Sequence, residues 1–148
     1  MVVVRALEQG EIDAKVVDTV NRLVAQLSTS AAPLTEGSLT AVAGREGHTV
    51  LVARRDDQIV GMLTLVVVAL PTGLRGHIED VVVDQEVRGG GVGNALVRAA
   101  QDAAARAGVR TLDLTSRPER AAAHRLYAAT GFAVRQTSVY RWTPGTRG

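Results

Sequence analysis

The sequence predicts an α/β (α+β) fold, a mixed sheet with helices on both faces. Three observations carry this. Segments of strand and helix periodicity follow one another as strand, helices, three strands, helix, strand, helix, strand. The 148 residues suit one domain, spanning 1–148. The chain is 46% hydrophobic and 22% charged, near the globular average, which argues against wholesale disorder.

Val2–Leu7 is β-branched and apolar and reads as a strand. Ile12, Val16, Val20, Leu23 and Leu27 recur at spacings of three and four, predicting a helix over Glu11–Leu27. Ser28–Pro33 is a linker by composition, and Leu34–Arg45 is a weak helix interrupted by Gly37 and Gly44. Strands are expected over His48–Arg55 and Ile59–Leu70, joined by an Asp56-Asp57-Gln58 turn. The second is long enough to need a bulge. Pro71–Gly76 reads as a loop and His77–Val83 as a further strand. Gly91–Gly108 is a helix with Leu96, Val97, Ala100, Ala103 and Ala104 on one face, stopped by Gly108. Thr111–Thr115 is a strand, Pro118 opens a helix to about Thr130, and Phe132–Thr143 reads as one or two strands. Residues 144–148 are a frayed tail.

Composition excludes several function classes. Cysteine is absent, which removes disulfides, thiolate zinc sites, iron–sulfur clusters and a cysteine nucleophile. His48, His77 and His124 are too scattered to suggest a metal site. Lys15 is the only lysine, and the arginines alternate with acids for a net charge of +2. With so few aromatic residues as well, a nucleic-acid partner is not expected. The N-terminus lacks the basic start and apolar length of a signal segment. The longest apolar run, Met62–Pro71, falls far short of the roughly 20 residues that cross a bilayer. A cytoplasmic protein without a membrane partner is the expectation.

The most informative stretch is Val81-Val82-Val83-Asp84-Gln85-Glu86-Val87-Arg88-Gly89-Gly90-Gly91-Val92-Gly93-Asn94. A strand leads into glycines and then directly into a helix. Glycines permit positive φ and close ligand approach, and the first helical N–H groups point outward at the positive end of the helix dipole. Such a site suits a phosphate or pyrophosphate. A P-loop would need Lys and then Ser or Thr after its last glycine, but Asn94 follows Gly93. A dinucleotide fingerprint would need a third glycine where Asn94 stands. By itself the cluster is either a plain turn or an anion cradle.

Arg88-Gly89-Gly90-Gly91-Val92-Gly93 resembles the Q/R-x-x-G-x-G/A motif of the GNAT N-acetyltransferases, which bind acetyl-coenzyme A. Arg125-Leu126-Tyr127-Ala128-Ala129-Thr130-Gly131-Phe132 is similar to the family's later L-Y-x-x-x-G-F signature. The element order fits over most of the chain. Gly76-His77-Ile78-Glu79-Asp80 further resembles a strand of glucosamine-6-phosphate N-acetyltransferases. The resemblance implies a mixed, mostly antiparallel central sheet.

It also implies residue roles. The strand before the glycine loop would splay from its neighbour, leaving the backbone of Val81, Val82 and Val83 to bind the pantetheine arm. An N–H of these residues would meet the oxyanion formed in the reaction. The amides of Gly89, Gly91, Gly93 and Asn94 would hold the pyrophosphate, with Arg88 adding positive charge. Tyr127 would lie near the thioester sulfur and donate its proton to the leaving thiolate. Many relatives have an Asn seven residues before this Tyr; here Arg120 stands there and could reach a phosphate instead. Ser116–Arg120 could contact acceptor or coenzyme, or be a solvated helix start. Glu79 and Asp80 are the carboxylates nearest the acetyl site. As strand neighbours they are expected to face opposite sides. Glu79 is the first choice of general base; Asp80 is the better one if the sugar-phosphate likeness holds, and His77 is a third. No metal is implied.

The leading function is therefore acetyl transfer from acetyl-coenzyme A to a primary amine. The expected acceptor is a small amine, such as an amino sugar like glucosamine 6-phosphate or a polyamine, or a peptide amine. Its pocket is expected from residues 28–47 and 70–77. A non-catalytic acyl-coenzyme A sensor is the alternative from another class, opposed by Glu79, Asp80 and Tyr127. A nicotinamide dinucleotide domain is third. Relatives often dimerise, and Ser138–Trp142 is a candidate dimer edge.

Overall fold

The computed structural model describes residues 1–145. Five strands form one open sheet: β1 (Val2–Ala6), β2 (His48–Arg55), β3 (Gln58–Leu70), β4 (Gly73–Val83) and β5 (Thr111–Asp113). They lie in chain order. The first four pair antiparallel and β5 pairs parallel with β4. Four helices accompany them: α1 (Ala14–Leu27), α2 (Glu36–Ala43), α3 (Val92–Ala107) and α4 (Ala121–Ala129). The mixed, mostly antiparallel sheet with helices on both faces is as expected.

The apolar alternation of the strands sorts the core into two layers. Leu7, Val50, Val52, Met62 and Val82 pack under α1 and α2 with Val17, Val20, Leu23 and Leu39. Leu51, Leu63, Leu65 and Ile78 pack on the other face under α3 with Val92, Leu96 and Ala100. Helix α1 starts later than its periodicity suggests. Residues Gln9–Glu11 make a single 3₁₀ turn, and the Asp13 carboxylate caps α1 by accepting the Val16 N–H at 2.9 Å. In α2, Thr35 and Ser38 cap each other's backbone N–H groups, which offsets the weak helical pattern.

Two bulges decide which way the strands face. Ala53 pairs with Gly61 and Arg54 with Ile59, so Val60 is an extra residue in β3, the strand expected to need one. Met62 pairs with Val82 and Thr64 with Glu79, so β4 carries an extra residue as well. Asp80 sits in that bulge at φ +54°. Past it, Val82 turns to the α1 side, although Ile78 faces α3.

Several boundaries are corrected. Residues 71–76 are not a loop. Leu70 pairs with Gly73 across a two-residue Pro71-Thr72 turn, and Gly73 takes a φ of +119° that lets β4 start at once. Strand β5 stops at Asp113, opposite His77, although β4 continues to Val83. Pro118 lies in a turn before α4, which begins at Ala121. Most importantly, residues 132–143 form no strand among the described residues. The Phe132 N–H instead closes the end of α4 on the Tyr127 carbonyl at 2.9 Å. β-propensity alone does not make a strand; an edge must accept it. In the expected tail, Pro144 and Gly145 form a turn, and residues 146–148 lie outside the described residues.

Candidate functional site

The site begins where β4 loses its neighbour. Pairing with β5 covers only Arg75–His77, so the stretch from Ile78 to Val83 has no strand on that side among the described residues. An unpaired strand edge offers backbone N–H and C=O groups to an extended ligand. Val82 is buried and Val81 and Val83 are half-buried, so their side chains build the core while their backbone borders the gap. Glu79 and Asp80 are both exposed on this strand. By register Glu79 stands with Thr64 and Val50 on the α1/α2 side. The bulge breaks the alternation from which opposite faces were expected for these two carboxylates. His77 is half-buried within the paired part.

After Val83 the chain makes a 3₁₀ turn over Gln85–Val87 and enters the glycines. Gly89 and Gly91 have φ of +88° and +80°, and a Cβ on either would meet nothing within 4 Å. The loop is therefore open on the side where those hydrogens point. Gly91 is the N-cap of α3 and gives it no side-chain cap, which leaves the N–H groups of Val92, Gly93 and Asn94 without intrahelical acceptors. Asn94 turns its side chain away, accepting Arg98 Nε at 3.1 Å. Arg88 is exposed, with Nε 3.4 Å from the Val83 carbonyl.

Gly93 ties this cradle to α4. A Cβ there would stand 3.1 Å from Leu126 Cδ2 and 3.7 Å from Val83 Cγ2. The next residue, Tyr127, is 8% exposed and meets Phe132 edge-on, with ring centroids 6.0 Å apart. Burial raises the Tyr127 pKa above 10, and the positive charge of Arg120 at the head of α4 only partly offsets this. Its hydroxyl therefore rests protonated. Gln101 of α3 holds the far end of α4, donating to the Thr130 carbonyl at 2.7 Å. The structure thus brings Val83, Gly93 and the Leu126-Tyr127 pair together, with Arg88 at the strand's end. Arg120 is exposed beside them, and nearby Ser116 Oγ is buried without a hydrogen-bond partner.

Sequence reasoning missed how the loop is anchored. Asp84, 4% exposed, accepts the Glu86 N–H and pairs with Arg22 of α1. Gln26 of α1 accepts the Gln85 N–H at 3.0 Å. The Arg22 guanidinium and the Glu86 N–H hold the Asp84 carboxyl below its ordinary range. The available signal was a lone carboxylate ending a run of valines. Among the described residues no group of three or more His, Asp or Glu could hold a metal, and no helix is long and apolar enough to cross a membrane.

An open strand edge that runs into a glycine loop at a helix N-terminus offers backbone groups to an extended ligand that ends in an anion. The site thus defines a cleft for such a ligand. Residues 21–132 match the Acetyltransferase (GNAT) family. The chain belongs to that family and is an acetyl-coenzyme A-dependent N-acetyltransferase. It is similar to a putative acetyltransferase from Agrobacterium tumefaciens at 26% identity and a TM-score of 0.83, covering 95% of this chain and 99% of that one. A Trypanosoma brucei acetyltransferase is 25% identical with a TM-score of 0.78, covering 97% and 100%. Glucosamine-6-phosphate N-acetyltransferase from Arabidopsis thaliana shares the fold at 20% identity and a TM-score of 0.77, covering 96% and 98%. None of the curated proteins matches.

Proposed function

We propose that residues 1–148 act as one cytoplasmic acetyltransferase domain whose acceptor is a small primary amine, such as an amino sugar of the glucosamine 6-phosphate kind. The observation that carries the reading is the continuous path from the free Ile78–Val83 edge into the open glycine loop. Acetyl-coenzyme A supplies the thioester carbon that the amine attacks. The backbone of Val81, Val82 and Val83 binds the pantetheine arm and places an N–H at the carbonyl oxygen. The amides of Gly89, Gly91, Gly93 and Asn94 hold the pyrophosphate, with Arg88 and Arg120 supplying positive charge.

Catalysis then needs two proton movements. Glu79 takes a proton from the acceptor amine directly or through water, and Asp80, beside it on the bulge, is the other candidate. Tyr127 gives its proton to the departing sulfur, a role supported by a buried hydroxyl that rests protonated. A homodimer is part of the proposal, because Val134, Val139 and Tyr140 are 91%, 73% and 92% exposed.

Calorimetry with acetyl-coenzyme A, coenzyme A and NAD, followed by an amine screen begun with glucosamine 6-phosphate, tests this reading. We expect acetyl-coenzyme A to bind, NAD not to bind, and turnover on a small amine. Coenzyme binding without turnover on any amine would favour a sensor. Turnover on peptide amines alone would move the acceptor class.

A further inference from the structure

We propose that Arg55, at the end of β2, is a phosphate-binding residue for the coenzyme. The inference rests on the reading that residues 89–94 hold the pyrophosphate. Register places Arg55 on the α3 face of the sheet, in step with Leu51 and Ala53 of that core layer. The first turn of α3 crosses the sheet beside it at Gly61, where a Cβ would stand 3.0 Å from Val92 Cγ1. The Arg55 guanidinium accordingly reaches the glycine loop. A Cβ on Gly90 would lie 2.7 Å from Arg55 Nη2 and 3.7 Å from Cζ.

Gly90 has neither the positive φ of Gly89 nor that of Gly91, so backbone freedom does not account for it. The Arg55 guanidinium stands in the space a side chain there would take.

The guanidinium is also chemically free. Arg54, the residue before it, is bound to Glu11 on the opposite face. The Arg55 guanidinium makes no hydrogen bond or ion pair with any described residue, although Asp56 and Asp57 follow it directly. A planar donor fork, half-buried over a loop of outward-pointing amides, matches a phosphate oxygen pair. It would add a fixed positive charge to the helix dipole from a strand 35 residues earlier in the chain.

The test compares wild type, Arg55→Gln and Arg106→Gln by calorimetry. Arg106 sits at the other end of α3, about 21 Å along the helix, and controls for lost net charge. The probes are acetyl-coenzyme A, its 3′-dephospho form and S-acetylpantetheine, which carries no phosphate. Arg55→Gln is expected to weaken acetyl-coenzyme A about tenfold and to leave S-acetylpantetheine unchanged. Its affinity should also fall less steeply with salt than that of wild type. A deficit that persists with the dephospho form assigns Arg55 to the pyrophosphate; one that vanishes assigns it to the 3′-phosphate. Equal acetyl-coenzyme A affinity in wild type and Arg55→Gln overturns the inference, and so does equal weakening of all three probes. Failure of wild type itself to bind acetyl-coenzyme A would instead sink the underlying reading.

Discussion

Gly93 in the first turn of α3 lies against Leu126 of α4, close enough that a Cβ would stand 3.1 Å from Leu126 Cδ2. The residue after Leu126 is the proposed proton donor, Tyr127. The proposed coenzyme cradle is therefore packed against the residue that precedes Tyr127. Gly93→Val must push the Leu126 side chain aside, at a cost of about 1–3 kcal/mol. Thermal unfolding should show that loss, and kcat should fall with it. Gly91→Val is the contrast. Its Cβ meets no protein atom, so the contact with α4 is spared; it crowds the open side of the loop and strains the backbone at φ +80°, so it should raise the Kd for acetyl-coenzyme A and lower stability while leaving kcat little changed. If both variants affect only binding, Gly93 does not position Tyr127.

Tyr127→Phe removes the hydroxyl while keeping the ring that packs on Phe132. We expect kcat to fall on the order of 10²-fold with the coenzyme Kd little changed. Because burial raises the tyrosine pKa above its ordinary 10.0, the folded protein holds this proton more tightly than the unfolded chain does. The resulting stability is fully present below about pH 10 and is lost as pH rises through the folded value. Any loss of wild-type kcat from tyrosine ionisation should accordingly come at higher pH than for an ordinary tyrosine. Unaltered turnover in the Phe variant would end the proton-donor assignment.

Asp84 predicts an effect at the opposite end of the pH scale. Its pKa is depressed below 3.8, first by Arg22 and then by the Glu86 N–H. The stability it contributes is present above 3.8 and disappears as pH falls through the folded value. Asp84→Asn should thus cost about 1.5–3 kcal/mol at pH 7. The gap to wild type should close in acid, as urea denaturation at both pH values would reveal. A gap of the same size at pH 3 would mean that shape rather than charge holds the loop to α1.

The two carboxylates of the β4 bulge can be separated by their pH–rate profiles. Glu79→Gln should abolish the acid limb of kcat/KM for the amine while leaving coenzyme affinity alone. Asp80→Asn should preserve that limb. The reverse pattern would make Asp80 the base, and two unchanged profiles would leave the proton to bulk water.

Much of this site was legible because its parts are local. Glycines running into a helix, and a tyrosine four residues before Gly-Phe, are patterns confined to one segment each. The coarse order of strands and helices followed from periodicity for the same reason. What escaped depended on pairing between distant segments. The bulge at Asp80 exists because Met62–Thr64 and Glu79–Val82 differ by one residue in register, a fact of two strands together. Arg22 and Gln26 meet Asp84 and Gln85 across about sixty residues. The guanidinium of Arg55 meets Gly90 across thirty-five. Residues 132–143 have strand composition but pair with no strand among the described residues, which composition cannot report.

That segment yields the last prediction. Val134, Val139 and Tyr140 are largely exposed on a stretch of chain without regular secondary structure, and clustered apolar exposure favours association. If a second copy covers them, light scattering behind size exclusion should give twice the 15.6 kDa chain mass. Val134→Asp combined with Tyr140→Asp should halve that mass without lowering the melting temperature of the separated chain, since neither side chain belongs to the core. The absence of cysteine allows a direct check with a single introduced Ser138→Cys. Oxidation should link two copies if their segments lie side by side. A wild type that stays monomeric across the accessible concentration range would remove the dimer from the proposal and leave the acetyltransferase reading intact.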